Sequence, residues 1–487
     1  MTRFFLLILC VISVSALDAA TFKVGSVTCD ITPPETVLLD GHMHTRVSRK
    51  VATPLTANIL AIEGALEDQT SCAVIVSVDL VHVRLVLDKA VRDAVKQALP
   101  DFDVKNLILC ATHTHTASVM EDGKYFVPEG TDYMKPSEYV AFAAGKVASA
   151  VTEAWKNRQP AKFSYGLGYA VVAYHRRAVY ADGKAFMYGK TDQPDFRRME
   201  GMEDHDIGSM FFWDNNDKLL AMFVNISCPT QEVEGLREVH ADFWHPAREA
   251  LKAKYGNDVT IVSTVGASGD MSPRPLYNKA AEDRMRNLRK LSRIDEIARR
   301  IVRAVDESYE VAKDDKQTDV PFRHEFSAVP LPKHKLTAAE YEAAKKVVAD
   351  LEKRAETDPG VQRLLSWNRG VLNKYESQLK KPDATVPFAV HVFRIGDTVT
   401  ATNPFELFTA YGVQMKARSK AVQTFVVQLT GGGSMAGTVG GTGYIPTAEA
   451  YRHGGYSAIP QSVTIGPEGG QVLVEETLKI ANGMFAN

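Results

Sequence analysis

The stretch Leu107-Ile108-Leu109-Cys110-Ala111-Thr112-His113-Thr114-His115-Thr116 decides how the rest of the chain is read. Five apolar residues in a row read as a buried strand, and the run stops at two histidines one residue apart. On an extended strand residues i and i+2 share a face, so His113 and His115 are expected to aim two imidazoles at one point past the strand's end. That is where α/β proteins place their chemistry. Neutral imidazole is the commonest metal ligand and exchanges protons near neutral pH. Such a pair also arises by chance on surfaces, so its meaning depends on its surroundings.

Outward from this strand, further apolar runs lie at Cys72–Val78, Leu219–Ile226, Val259–Val265, Ala389–Ile395 and Val422–Leu429. Helical patterns separate them. One opens at Pro136 and runs to about Trp155, and another carries Leu291, Ile294, Ile297, Ile301 and Val305 at spacings of three and four. Thr337 and Glu340 form a capping box ahead of a charged run to Glu356. Residues 337–381, Lys/Glu-rich and weakly amphipathic, read as an exposed helical hairpin inserted into the domain. Strands alternating with helices predict the α/β class, with mixed β-sheets and flanking helices in one large domain over residues 21–487.

The 487 residues are 45% hydrophobic and 24% charged, with a net charge of −2. That is ordinary globular composition, and it offers no basic face for nucleic acid or an anionic membrane. Residues 1–20 read as a secretion signal, with Arg3, the largely apolar run Phe4 to Leu17 and small Ala19 and Ala20. The expected location is secreted or periplasmic, and no other segment approaches the length of a membrane span. Four cysteines follow the signal: Cys29, Cys72, Cys110 and Cys228. They allow two disulfides, although Cys72 and Cys110 sit in apolar runs and read as core.

Residues able to carry chemistry recur in the loops after the apolar runs. Asp79 follows the first, as a helix cap or a site residue. Cys228-Pro229-Thr230-Gln231 follows another, with His240 and His245 shortly downstream. Gly269-Asp270-Met271-Ser272-Pro273 presents an acid and a hydroxyl in a loop of small residues, and Asn403-Pro404-Phe405-Glu406 adds a second acid. The glycine-rich loop from Gly431 ends in Gly443-Tyr444, and lacks the Gly-Lys-Ser/Thr of a phosphate loop.

Asp30-Ile31-Thr32-Pro33, the Ala111–Thr116 run, His175-Arg176-Arg177, Gly269–Pro273, Phe405-Glu406 and Gly443-Tyr444-Ile445-Pro446-Thr447 occur in an order and at intervals that resemble the catalytic domain of neutral/alkaline (non-lysosomal) ceramidases. The resemblance covers about residues 22 to 460. It implies a secreted zinc amidase that cleaves the N-acyl bond of ceramide, a lipid substrate. By position, the family's zinc ligands fall on His113, Glu406 and Tyr444. The family's serine and aspartate beside the scissile bond fall on Ser272 and Asp270, its substrate-site arginine on Arg176, and the second histidine of its pair on His115. This chain departs from the family where a further histidine ligand is expected. Cys228 stands there, so the fourth position is left to Cys228, to His240 or less readily His245, or to water. The family's usual C-terminal immunoglobulin-like domain is also not expected in the stretch after Tyr444.

The implied reaction is zinc-assisted amide hydrolysis, with His115, or Asp270 through water, moving the proton and Arg176 and Ser272 binding the developing oxyanion or substrate hydroxyls. Nucleophilic attack by Ser272 is disfavoured, because the Gly-x-Ser-x-Gly elbow is absent. Two rivals stand beside it: a hydrolase of the same scaffold acting on a non-lipid ester, amide or sugar-derived substrate, and an exported binding protein without catalysis.

Overall fold

The computed structural model describes residues 22–435, 437–441 and 443–485, so the leader read over residues 1–20 lies outside them. Strands β1 (Lys23–Asp30), β2 (Thr56–Leu66) and β3 (Gln69–Val78) form an antiparallel meander. Helix α1 (Leu85–Ala98) then carries the chain back to β4 (Leu107–Ala111), which pairs parallel to β3. Helix α2 (Pro136–Lys156) is followed by β5 (Gln159–Tyr169), β6 (Asp206–Asp214) and β7 (Leu219–Ile226). Helix α3 (Trp244–Tyr255), β8 (Thr260–Val265) and α4 (Arg293–Ala312) complete this part of the molecule. The eight strands lie in one sheet of order β8-β7-β6-β5-β1-β2-β3-β4, in which β3–β4 and β7–β8 run parallel and the other pairs antiparallel.

The continuous apolar runs have a direct cause: these strands are buried on both faces. Along β2, β3 and β4, Ala57, Ile59, Val74, Val76, Leu107 and Leu109 pack toward α1 and α2. The alternate positions Leu60, Ile62, Ala73, Ile75, Ile108 and Cys110 pack against a second sheet. That sheet is built from β9 (Phe322–Pro332), β10 (Thr385–Ile395), β11 (Thr398–Thr402) and β12 (Gln423–Val427), in that order. Its outer face carries Val390, Val392 and Val399, covered by Leu473, Val474 and Leu478 of the C-terminal helix Pro467–Gly483. The result is helix, sheet, sheet and helix in layers.

The inserted hairpin is α5 (Ala338–Ala355) followed by α6 (Gln362–Lys380). Its capping box forms as read: Glu340 N donates to Thr337 Oγ1 at 3.2 Å, and Thr337 N donates to a Glu340 carboxylate oxygen at 2.7 Å. The hairpin is more than an exposed appendage, because Arg363 and Trp367 of α6 form part of the wall of the cavity that His113 and Glu406 also line. The four cysteines are all unpaired. Asp79 caps no helix. It is fully buried and held by both terminal nitrogens of Arg248 on α3, at 2.6 and 2.7 Å, with Thr56 and Thr112 donating further hydrogen bonds.

Candidate active site

Strand β4 ends at Ala111, and the pair beyond it is not extended. His113 has φ +71°, a left-handed conformation that is unusual for a residue with a Cβ. Its N–H is held by the Leu80 carbonyl at 2.9 Å, which forces the turn. The two imidazoles meet nonetheless, Nε2 to Nε2 at 3.3 Å, so the turn does what strand alternation was expected to do. His113 Nδ1 lies 2.8 Å from the Val81 carbonyl. A carbonyl only accepts, so Nδ1 carries the proton and Nε2 keeps its lone pair. Burial drives the His113 pKa down to about 3, so the ring is neutral.

Glu406 and Tyr444 come together through a short parallel pairing of Glu406–Leu407 with Tyr444–Ile445, in which the two residues are register partners. Glu406 N donates to the Gly443 carbonyl at 3.0 Å. A carboxylate oxygen of Glu406 stands 3.6 Å from His113 Nε2, and the other stands 3.4 Å from His82 Nε2. Burial works against the charge of Glu406, but His82 and His113 hold its carboxyl well below the usual range. Burial and the neighbouring Glu406 push the Tyr444 phenol up, with Arg176 opposing. His82 was not singled out in the sequence, although it lies in the loop directly after β3, where such residues recur.

Behind Tyr444 sits a second group. Arg176 N donates to the Asp270 carbonyl at 2.9 Å and its Nη2 to the Gly269 carbonyl at 2.7 Å. The guanidinium carbon lies 5.4 Å from the Tyr444 ring centre and 5.9 Å from that of Tyr456. Ser272 Oγ is 3.1 Å from the Tyr188 hydroxyl. One Asp270 oxygen accepts from the Thr409 amide at 2.9 Å and the Thr409 hydroxyl at 2.7 Å, and the other is 3.3 Å from His175 Nε2. Asp270 therefore spends both oxygens on holding this part of the fold together.

Neither Cys228 nor His240 is brought to His113. The Cys228 Sγ points at the Val172 carbonyl, 3.4 Å away, in a core with Phe243 and Trp244, and burial pushes the thiol pKa far up. The His240 ring turns toward its own loop, with Nδ1 accepting from Asp242 N at 2.8 Å, while its carbonyl accepts from the Thr114 and Thr116 hydroxyls. From the Cys228 loop it is Gln231 that arrives, with Nε2 placed 2.8 Å from His115 Nε2.

His113, His115, His82, Glu406, Tyr444 and Tyr456 line a cavity of about 280 Å³. Asp40, Arg84, Lys124, Tyr125 and Arg363 line it as well, so the wall is strongly polar. Lys124 Nζ sits 2.5 Å from Asp40. Arg176, Asp270 and Ser272 lie outside the cavity lining.

The mixed sheets with flanking helices match a known fold, that of the neutral ceramidases. The chain aligns with a neutral ceramidase from Pseudomonas aeruginosa at a TM-score of 0.64 and 15% identity, covering 96% of this chain and 75% of that one. It aligns with a ceramidase complexed with C2 at 0.62 and 14%, over the same shares. No family model and no curated protein sequence matches the chain. Among the described residues no helix is long and apolar enough to cross a membrane.

Proposed function

We propose that the protein is a secreted zinc-dependent hydrolase that cleaves the N-acyl amide bond of ceramide or a related N-acylated substrate. The observation that carries this reading is the grouping of His113 Nε2, the Glu406 carboxylate and Tyr444 on one cavity wall, in a ceramidase-like fold. The donor set suits zinc: a neutral imidazole with its second nitrogen fixed by a carbonyl, an ionised carboxylate and a phenol, with His82 in reach of the same carboxylate. Zinc held there supplies Lewis acidity and a nucleophile at neutral pH. Between His115 and Asp270 as the group that moves the proton, His115 lines the cavity, whereas Asp270 is committed to Thr409 and His175. Arg176 positions the Tyr444 ring from behind.

The polar lining of the cavity favours a second reading, in which the same centre acts on a non-lipid or sugar-derived N-acyl compound. Asp40, Lys124 and Arg363 suit hydroxyl or anionic groups better than acyl chains. Purified, metal-quantified protein assayed on fluorescent ceramides beside short N-acyl and glycosyl substrates separates the two. His113→Ala is expected to lose the zinc equivalent held at this centre and all turnover, and unchanged zinc content would sink the ligand assignment.

A further inference from the structure

The Nδ1 side of His115 meets two residues that the proposed reaction does not use, His42 and Glu234. His115 Nδ1 is 3.2 Å from a carboxylate oxygen of Glu234, and the same oxygen is 3.8 Å from His42 Nε2. All three donor atoms lie within 4.8 Å of one another. Ligands about 2.1 Å from a tetrahedral ion stand roughly 3.4 Å apart, so these separations have the size of a metal shell. His42 Nε2 and His115 Nδ1 are both buried, and neither finds a hydrogen-bond partner. The oxygen side of Gln231, whose amide nitrogen touches His115, is also buried without a partner. Buried polar atoms are rarely left unsatisfied, and here two of them face one carboxylate oxygen.

We infer that His42, His115 and Glu234 form a second cation site, distinct from the His113, Glu406 and Tyr444 group and opening on the same cavity. Two imidazoles and one carboxylate select a divalent transition ion of the zinc type over magnesium or calcium. The surroundings limit the site's charge without closing it. Arg274 Nη1 takes the other Glu234 oxygen at 3.0 Å, and the Arg46 guanidinium is occupied by the carbonyls of Asp40, His115, Glu234 and Leu236. The oxygen between the two imidazoles stays available. A cation there uses His115 Nδ1 and leaves Nε2, 3.3 Å from His113 Nε2, as the atom facing the first group. This site rests on its own geometry, apart from the proposed reaction.

The test is a zinc titration of chelator-stripped full-length protein by calorimetry, with bound metal counted by elemental analysis after dialysis. Two equivalents are expected for the unmodified protein. His42→Ala and Glu234→Gln should each lose one equivalent, or weaken it at least tenfold, and keep the other. Circular dichroism of the stripped variants reports folding, and His42→Ala carries the test if Glu234→Gln fails to fold. Equal stoichiometry and affinity in His42→Ala and the unmodified protein would overturn the site. So would a single equivalent that is lost in His113→Ala and kept in His42→Ala. A single equivalent lost in His42→Ala and kept in His113→Ala would support this site while removing the zinc centre proposed above.

Discussion

At the scale of single residues, the histidine pair of the site depends on two backbone positions with positive φ. His113 is one, and the other is Gly41, at φ +97°, whose α-carbon faces the His115 ring so closely that a Cβ would sit 2.4 Å from the ring. Gly41→Ala is therefore expected to displace His115 and to cost more than about 1 kcal/mol of stability, since the backbone conformation also resists a side chain. Thermal unfolding together with turnover checks this, and an unchanged variant would show that His115 is not held against Gly41. Cys228 makes the opposite case. Sitting in the core, it should leave zinc affinity untouched when changed to alanine, at a stability cost of about 1 kcal/mol. Weakened zinc binding in Cys228→Ala would mean that the thiol does reach the metal.

Among the elements, β3, α3 and the start of β2 are locked by one buried ion pair. Asp79 ends β3, Arg248 projects from α3, and both are almost wholly shielded from water. Taking away one partner leaves the other charged and desolvated, so Asp79→Ala is expected to lose about 3–5 kcal/mol. Urea denaturation measures it, and a loss below about 1 kcal/mol would show that the pair does not hold the elements together. The same pair stations the Thr112 hydroxyl, one residue before His113. Structural and candidate catalytic groups thus share a single strand end, and an alanine scan of this loop will mix the two effects unless folding is measured separately.

For the molecule as a whole, the pH dependence of stability has a component that can be assigned. Burial, with Glu232 and Glu234 adding to it, raises the Asp242 carboxyl to about 7, although two backbone N–H groups oppose the shift. The unfolded carboxyl titrates near 3.9, so between about pH 4 and 7 the folded state binds the extra proton. Stability from this group is complete below about pH 4 and is lost as the pH rises through 7. Carboxylates held low, such as Glu406 and Asp40, act in the other direction and at lower pH. Asp242→Asn should flatten the unfolding free energy between pH 4 and 7, read from denaturation midpoints across that range. Parallel curves for the two proteins would rule out the assignment.

Much of the architecture was legible in the residues themselves. The apolar runs marked strands because both sheet faces are buried, so the hydrophobic signal is continuous and local. The 337–381 hairpin was readable from its capping box and charge pattern for the same reason. Strands β1, β2, β5, β6 and β9 were not picked out; in β1, β5 and β9 half-exposed and polar positions interrupt the apolar signal. Within the site, His113, Glu406 and Tyr444 were accessible as residues standing after strands and through the family resemblance. The rest was decided by tertiary contacts. Local spacing says nothing about which way Cys228 turns, because that depends on Val172, Phe243 and Trp244, all far from it in the chain. It also cannot bring His82 to Glu406, or His42 and Glu234 to His115, since those meetings are fixed by loops that the two packed sheets carry to one end of the molecule.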